Sequence, residues 1–322
     1  MTPLRTRGAK RGCSPASHPK LETRIGTVEL PNPVMTASGT SGHGAELNAY
    51  FPLERLGAVV VKSLSADAWP GNPAPRLHEA GAAMLNSVGL QGPGVDAWLA
   101  DDLPTLQRAN ARVVASIWGR TVEKYEKAAI ALSGAPGDVV AVEVNLSCPN
   151  LEGGKHLFAQ STRDTADAIG AVVAGLDRPV WAKLTAHVTN IAEIAEAALT
   201  AGAAAVTVTN TMLALAIDPE TRRPRLGAGG GGLSGSAIHP IAVRAIHDVH
   251  AALPEAVIVG VGGVATGVDA VELLLAGASA VQVGTATFAD PRAPVRVLDE
   301  LLEWCGRQGV SNVGELIGGM DG

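Results

Sequence analysis

A chain of 322 residues that is 47% hydrophobic and 17% charged has the composition of a globular protein with a sizeable core, and a net charge of −6 leaves no basic footprint for a nucleic-acid backbone. Its three cysteines, Cys13, Cys148 and Cys305, stand far apart with no CxxC spacing, which argues against a disulfide framework or a zinc site and for a reducing, cytoplasmic setting. No uninterrupted apolar run of about 18 residues is present, so no membrane span is expected.

Residues 1–20, MTPLRTRGAKRGCSPASHPK, are basic and rich in Pro, Ser and Gly but lack the apolar stretch of a secretory signal. They read as a flexible arm ahead of a single domain over 21–322. From residue 34 onward, β-branched runs alternate with stretches of helical period. Strands are expected at 33–38, 58–63, 112–118, 139–147, 179–185, 204–210, 256–263 and 279–285. Helices are expected at 45–56, 95–109, 120–132, 162–174, 191–201, 240–252, 267–276 and 293–307, with Thr189 and Asn190 as N-caps and Gly202 as a C′ glycine for the fifth. Strands that are apolar on both faces belong to a parallel sheet. About eight strand–helix units in series favour a closed α/β (β/α)8 TIM barrel over an open doubly wound sheet with dinucleotide turns.

Two connections are long, 64–90 after the second strand and 211–235 after the sixth, and both follow strand C-termini, where barrel active sites lie. The stretch LGAGGGGLSG at 226–235 is glycine-dense and reads as mobile, partly linker. The strand ends themselves carry Ser38; Lys62 and Ser63; Ser116; Asn145, Ser147 and Cys148; Lys183; Thr209, Asn210 and Thr211; Gly262 and Gly263; Gly284 and Thr285. Taken singly, each has an ordinary structural reading: an inert thiol, a snorkelling lysine, an Asx turn, a tight glycine turn. Together at one mouth they point to an anionic, phosphate-bearing ligand, with the glycine pairs placed where barrels build a phosphate site.

With these residues assembled, the chain resembles the class 1 dihydroorotate dehydrogenases over roughly residues 21–305. The resemblance rests on ASGT (37–40), VKS (61–63), NSVGLQGPG (86–94), NLSCPN (145–150), AKL (182–184), TNT (209–211), GGLSG (231–235), GVGGV (260–264) and VGTA (283–286). It implies a barrel that holds FMN and oxidises dihydroorotate to orotate in pyrimidine biosynthesis. Cys148 is then the base that removes the C5 proton while the C6 hydride passes to the flavin, and Lys183 stabilises charge on the reduced flavin. Ser38, Lys62, Ser63, Asn145, Lys183, Thr209, Gly235, Gly262, Gly263, Gly284 and Thr285 are implied FMN contacts. Lys62, Asn86, Ser87, Val88, Gly89, Leu90, Asn145, Asn210 and Thr211 are implied to hold the substrate.

GGKHLF after the cysteine, NTMLALAID and GGLSGSAIHP are similar to the 1B branch, whose members pair with an electron-transfer subunit carrying FAD and a [2Fe-2S] cluster that passes electrons to NAD. No candidate cluster ligands occur here, so a cluster would belong to the partner; a homodimeric core is also implied. The loop after Cys148, with Pro149, Gly153 and Gly154, is an expected lid. An ordinary thiol titrates at about 8.5, so a thiolate base is expected to be better populated at mildly alkaline pH. The chain departs from the family pattern at Gly92, at Ser116 and at Ala186-His187, and the second puts Ser116 in doubt as a flavin contact. Two other FMN barrels stand as rivals, tRNA dihydrouridine synthase and dihydropyrimidine dehydrogenase. The acidic balance and the absence of a basic RNA-binding domain after residue 305 count against the first; Asn150 after SCP favours orotate over uracil against the second. A barrel that keeps its flavin only as an interaction subunit is the non-enzymatic alternative.

Overall fold

The computed structural model describes residues 19–148, 151 and 156–321. Most of the basic arm, including Cys13, lies outside the described residues, as do Pro149, Asn150, Gly153 and Gly154 of the expected lid. The arm's last residue, Lys20, is tied down, its N–H donating to the Ser311 carbonyl at 2.9 Å.

Eight parallel strands form the central sheet: β1 (Val34–Thr36), β2 (Val59–Val60), β3 (Val113–Ile117), β4 (Val139–Asn145), β5 (Val180–Lys183), β6 (Ala205–Val208), β7 (Ile258–Val261) and β8 (Ala280–Val283). Their order is β1-β8-β7-β6-β5-β4-β3-β2. The ring closes between β2 and β1 through a Met35–Ala58 bridge and the Thr36 hydroxyl, which lies 2.9 Å from Val60 N and 3.2 Å from Val60 O. One side chain thus replaces missing ladder bonds, and the (β/α)8 barrel is complete.

Strand alternation sorts the side chains into two sets. Val59, Val61, Val113, Ala115, Val142, Val144, Ala182, Val206 and Val281 face the helices, while Met35, Val60, Val114, Ala141, Trp181, Ala205, Val259 and Ala280 fill the barrel interior. A hairpin of Thr23–Ile25 and Val28–Leu30 plugs the lower end with Ile25, Val28 and Leu30.

Helices at Val122–Leu132, Thr162–Ala174, Ile191–Thr200, His239–Ala252, Gly267–Leu275 and Ala293–Gln308 match the expected periods. Thr121, Ser161, Asn190 and Thr266 cap four of them with side-chain oxygens. The helix expected at 45–56 is instead two 3-10 turns, Glu46–Ala49 and Leu53–Arg55. Pro52 explains the difference, since it has no N–H to donate and pushes Phe51 out of the helical region. The helix over 95–109 forms but widens to a π turn at Trp98–Asp102, just before Pro104.

The two long connections build one further sheet. Leu77–Ala80, Ala83–Asn86, Gly231–Ser234 and Met212–Ala214 pair antiparallel, with Ala83–Asn86 and Gly231–Ser234 in the middle. The glycine-rich stretch is therefore an ordered central strand at 231–234, not a linker. Its glycines serve close approach: a Cβ on Gly231 would strike the Asn86 carbonyl, and one on Gly232 the Thr211 side chain.

Candidate active site

A cavity of about 380 Å³ lies at the C-terminal mouth of the barrel, roofed by the four-stranded sheet. Residues of one strand parity form its floor: Lys62 follows β2, Asn145 ends β4, Lys183 ends β5, Thr209 follows β6 and Gly284 follows β8. Every FMN and substrate residue expected from the sequence lines this one space, from Ser38 and Ser63 through the 86–90 loop to Thr211, Gly235, Gly262, Gly263 and Thr285. Ser116 does not. It is fully buried behind Ser63, hydroxyl to hydroxyl at 2.8 Å.

Asn145 organises the centre. Its Oδ1 accepts from Ser147 N at 3.1 Å and from Asn210 Nδ2 at 3.0 Å, while Asn210 Oδ1 accepts from Thr211 N at 2.8 Å. The two strand ends are thereby locked together, and the amide orientations are fixed by their partners. In the roof, Asn86 Nδ2 donates to the Gly232 carbonyl at 3.3 Å.

The two lysines differ. Lys183 is 4% exposed and ion-paired with Glu143 at 3.3 Å. Lys62, half-buried in the wall, has no acidic partner among the described residues, and burial followed by the Arg76 charge holds its pKa below the ordinary lysine value. An unpaired cation in a concave wall attracts an anionic group.

Cys148 sits beside the cavity rather than in its surface, fully buried. Its thiol donates to the Asn145 carbonyl at 3.6 Å, and Phe158 N closes over the Cys148 carbonyl at 3.2 Å. Burial pushes the thiol up to about 12, against smaller lowering effects from the Tyr125 phenol and the Arg120 charge. The mildly alkaline titration expected for an ordinary thiol is thus displaced upward.

Gly262 and Gly263 turn sharply after β7 at φ +141 and +71. A Cβ on either would come within 2.6 Å of Ala242 or His239 on the helix that precedes β7, so bare backbone forms this part of the rim. His239 Nδ1 donates to the Gly262 carbonyl at 2.8 Å and pins the turn.

The dihydroorotate dehydrogenase family model matches residues 20–304. The catalytic subunit of dihydroorotate dehydrogenase B (NAD(+)) from Trichlorobacter lovleyi is 41% identical over 94% of this chain and 99% of its own length. The protein of the same name from Desulforudis audaxviator is 45% identical over 93% and 97%. A Solibacter usitatus protein provisionally named dihydroorotate dehydrogenase A (fumarate) is 44% identical over 93% and 98%. The chain belongs to the dihydroorotate dehydrogenase family.

Dihydroorotate dehydrogenases are flavin enzymes, and the cavity suits a flavin mononucleotide. Its rim of bare glycine backbone leaves room for a phosphate, its floor presents lysine and asparagine side chains to a polar ring, and Ser147 Oγ, buried in the wall, has no hydrogen-bond partner among the described residues. Two functional candidates escaped the sequence reading. Glu143 and Gln282 lie inside the barrel, two residues before Asn145 and Gly284, and both touch Lys183. A carboxylate interrupting the apolar run of β4 at the parity of Asn145 was the available signal.

Proposed function

We propose that this chain oxidises dihydroorotate to orotate with Cys148 as the base and FMN as the hydride acceptor. The observation that carries the reading is the convergence of the polar strand-end residues, Ser116 apart, on one cavity with Cys148 against its wall. When bound, FMN supplies the hydride acceptor for C6.

The chain's own groups divide the remaining work. Lys62, with no acidic partner among the described residues, receives the substrate carboxylate, and Asn86, Asn145 and Asn210 orient the pyrimidine amides. Cys148 Sγ takes the C5 proton, with the Tyr125 phenol beside it as the group that favours the thiolate. Lys183 offsets negative charge at the cavity floor, and the Gly262-Gly263 and Gly284-Thr285 turns hold the phosphate. The roof sheet keeps water out.

The catalytic unit is a single domain over 21–322, working as a homodimeric core in the cytoplasm. No helix among the described residues is long and apolar enough to cross a membrane. Reoxidation by NAD through a partner subunit is supported by the names of the relatives, catalytic subunits of an NAD(+)-linked enzyme, and in this reading the FAD and [2Fe-2S] cluster belong to that partner. The provisional fumarate-linked relative makes fumarate the second acceptor to try.

The test is an anaerobic visible spectrum before and after dihydroorotate. A flavin spectrum that bleaches supports the reading, and a flavin that stays oxidised sinks it. Adding NAD with a partner subunit, or fumarate, then identifies the acceptor.

A further inference from the structure

Lys183 is held by three acceptors at once: Ser38 Oγ at 3.1 Å, Gln282 Oε1 at 3.2 Å and Glu143 Oε1 at 3.3 Å. An ammonium has three N–H groups, so none is spare. Gln282 Nε2 in turn donates to Glu143 Oε2 at 2.6 Å, which closes a ring of lysine, carboxylate and amide across β5, β4 and β8. Glu143 and Gln282 are wholly inaccessible to solvent. Of the three acceptors only Ser38 lines the cavity. A ligand acceptor reaching Lys183 therefore takes the place of the Ser38 hydroxyl, while Glu143 and Gln282 keep their hold from beneath.

Barrel interiors are ordinarily filled by branched apolar side chains, and a buried ion pair is weak evidence of stabilisation against such packing. Neighbouring interior positions obey the ordinary rule with Met35, Val114, Ala141, Trp181 and Ala280. The carboxylate appears only at the level from which it reaches Lys183. Lys62 provides the contrast, a cavity lysine with no acidic partner among the described residues. One lysine is left charged toward the ligand and the other is matched.

We propose that Glu143, bridged by Gln282, is a positioning residue: it fixes the direction of the Lys183 ammonium and balances its charge, and so sets how strongly the cavity floor favours a reduced flavin. The inference rests on the reading that the cavity holds FMN. Glu143→Gln keeps the volume and removes the charge, leaving an unmatched ammonium that favours the more negative, reduced form of the ligand.

The experiment measures the midpoint potential of bound FMN in the full chain. Glu143→Gln is expected to shift it positive, Glu143→Asp, which restores the charge, to return it toward the unsubstituted value, and Glu143→Gln in a Lys183→Met background to shift nothing further. An unchanged potential in FMN-loaded Glu143→Gln, or an equal shift without Lys183, overturns the proposal and leaves the carboxylate as core filling. Should Glu143→Gln fail to fold, Gln282→Met leaves the ion pair and removes the bridge; a smaller positive shift that requires Lys183 supports the proposal, and no shift overturns it. An unsubstituted chain that folds but takes up no FMN overturns the cofactor reading and this inference together. One that binds FMN and is bleached by dihydroorotate, yet whose Glu143→Gln variant keeps its potential, overturns this inference alone.

Discussion

Tyr125 and Cys148 share one acceptor, the backbone carbonyl of Asn145, which receives the phenol at 2.7 Å and the thiol at 3.6 Å. Two donors on one oxygen place the phenol beside the sulfur, free to turn to it when the thiolate forms. Tyr125→Phe should therefore move the pH profile of substrate-driven flavin reduction to higher pH and cost about 1 kcal/mol of stability. Stopped-flow reduction across pH checks it; a profile identical to the unsubstituted chain would detach Tyr125 from the proton transfer.

Because burial pushes the Cys148 thiol up to about 12, the thiolate is scarce at neutral pH. The substrate-driven step should rise by about tenfold per pH unit through the neutral and mildly alkaline range, without levelling near the ordinary thiol value. Cys148→Ser should lose most turnover there and keep its flavin. Retained turnover in that variant would remove Cys148 from the base role.

The same thiol ties stability to pH. The folded chain holds this proton more tightly than the unfolded chain, which releases it at about 8.5, so stability is intact below that value and falls as pH rises toward 12. The fall approaches about 1.4 kcal/mol per pH unit from this group. Denaturant unfolding at several alkaline pH values should show a shallower loss in Cys148→Ala.

Lys62→Met should weaken orotate binding by about thirtyfold, the equivalent of a charge-assisted hydrogen bond of about 2 kcal/mol. With a lysine pKa already held low by burial and Arg76, the unsubstituted chain should itself bind orotate less well as pH rises into the alkaline range. Flavin quenching titrations with orotate read both effects, and a pH-independent affinity in the unsubstituted chain would argue against Lys62 as the carboxylate receptor.

Gly231→Ala places a methyl group against the Asn86 carbonyl and should pry the roof strands apart. A stability loss of about 1–3 kcal/mol is expected, as for overpacking, together with a raised KM. Thermal melts and steady-state kinetics decide, and an unaltered KM would mean that the roof does not shape the substrate site.

The barrel, and the strand ends that carry Lys62, Asn145, Lys183 and Gly284, were legible because alternation along an apolar strand delivers its last inward residue to the mouth. Glu143 was not, since it sits inside a run read as continuously apolar and its partners Lys183 and Gln282 arrive from other strands. Apolar spacing persists across Pro52 and hides the break it makes. Gly231 and Gly232 suggest freedom in the sequence and serve contact in the fold; glycine content alone does not separate the two, and the deciding neighbours, Asn86 and Thr211, are far away or around a turn. The depth of Cys148 depends on Tyr125 and Phe158, whose rings meet edge to face at 5.2 Å, a packing no local motif announces.

The pairing of Gly231–Ser234 with Ala83–Asn86 has a mechanical meaning. Segments nearly 150 residues apart in the chain are stitched into one panel, so the 86–90 loop cannot swing away while Thr211 and Gly235 stay in place. Slack introduced in either excursion is therefore felt on both sides of the cavity beneath the panel.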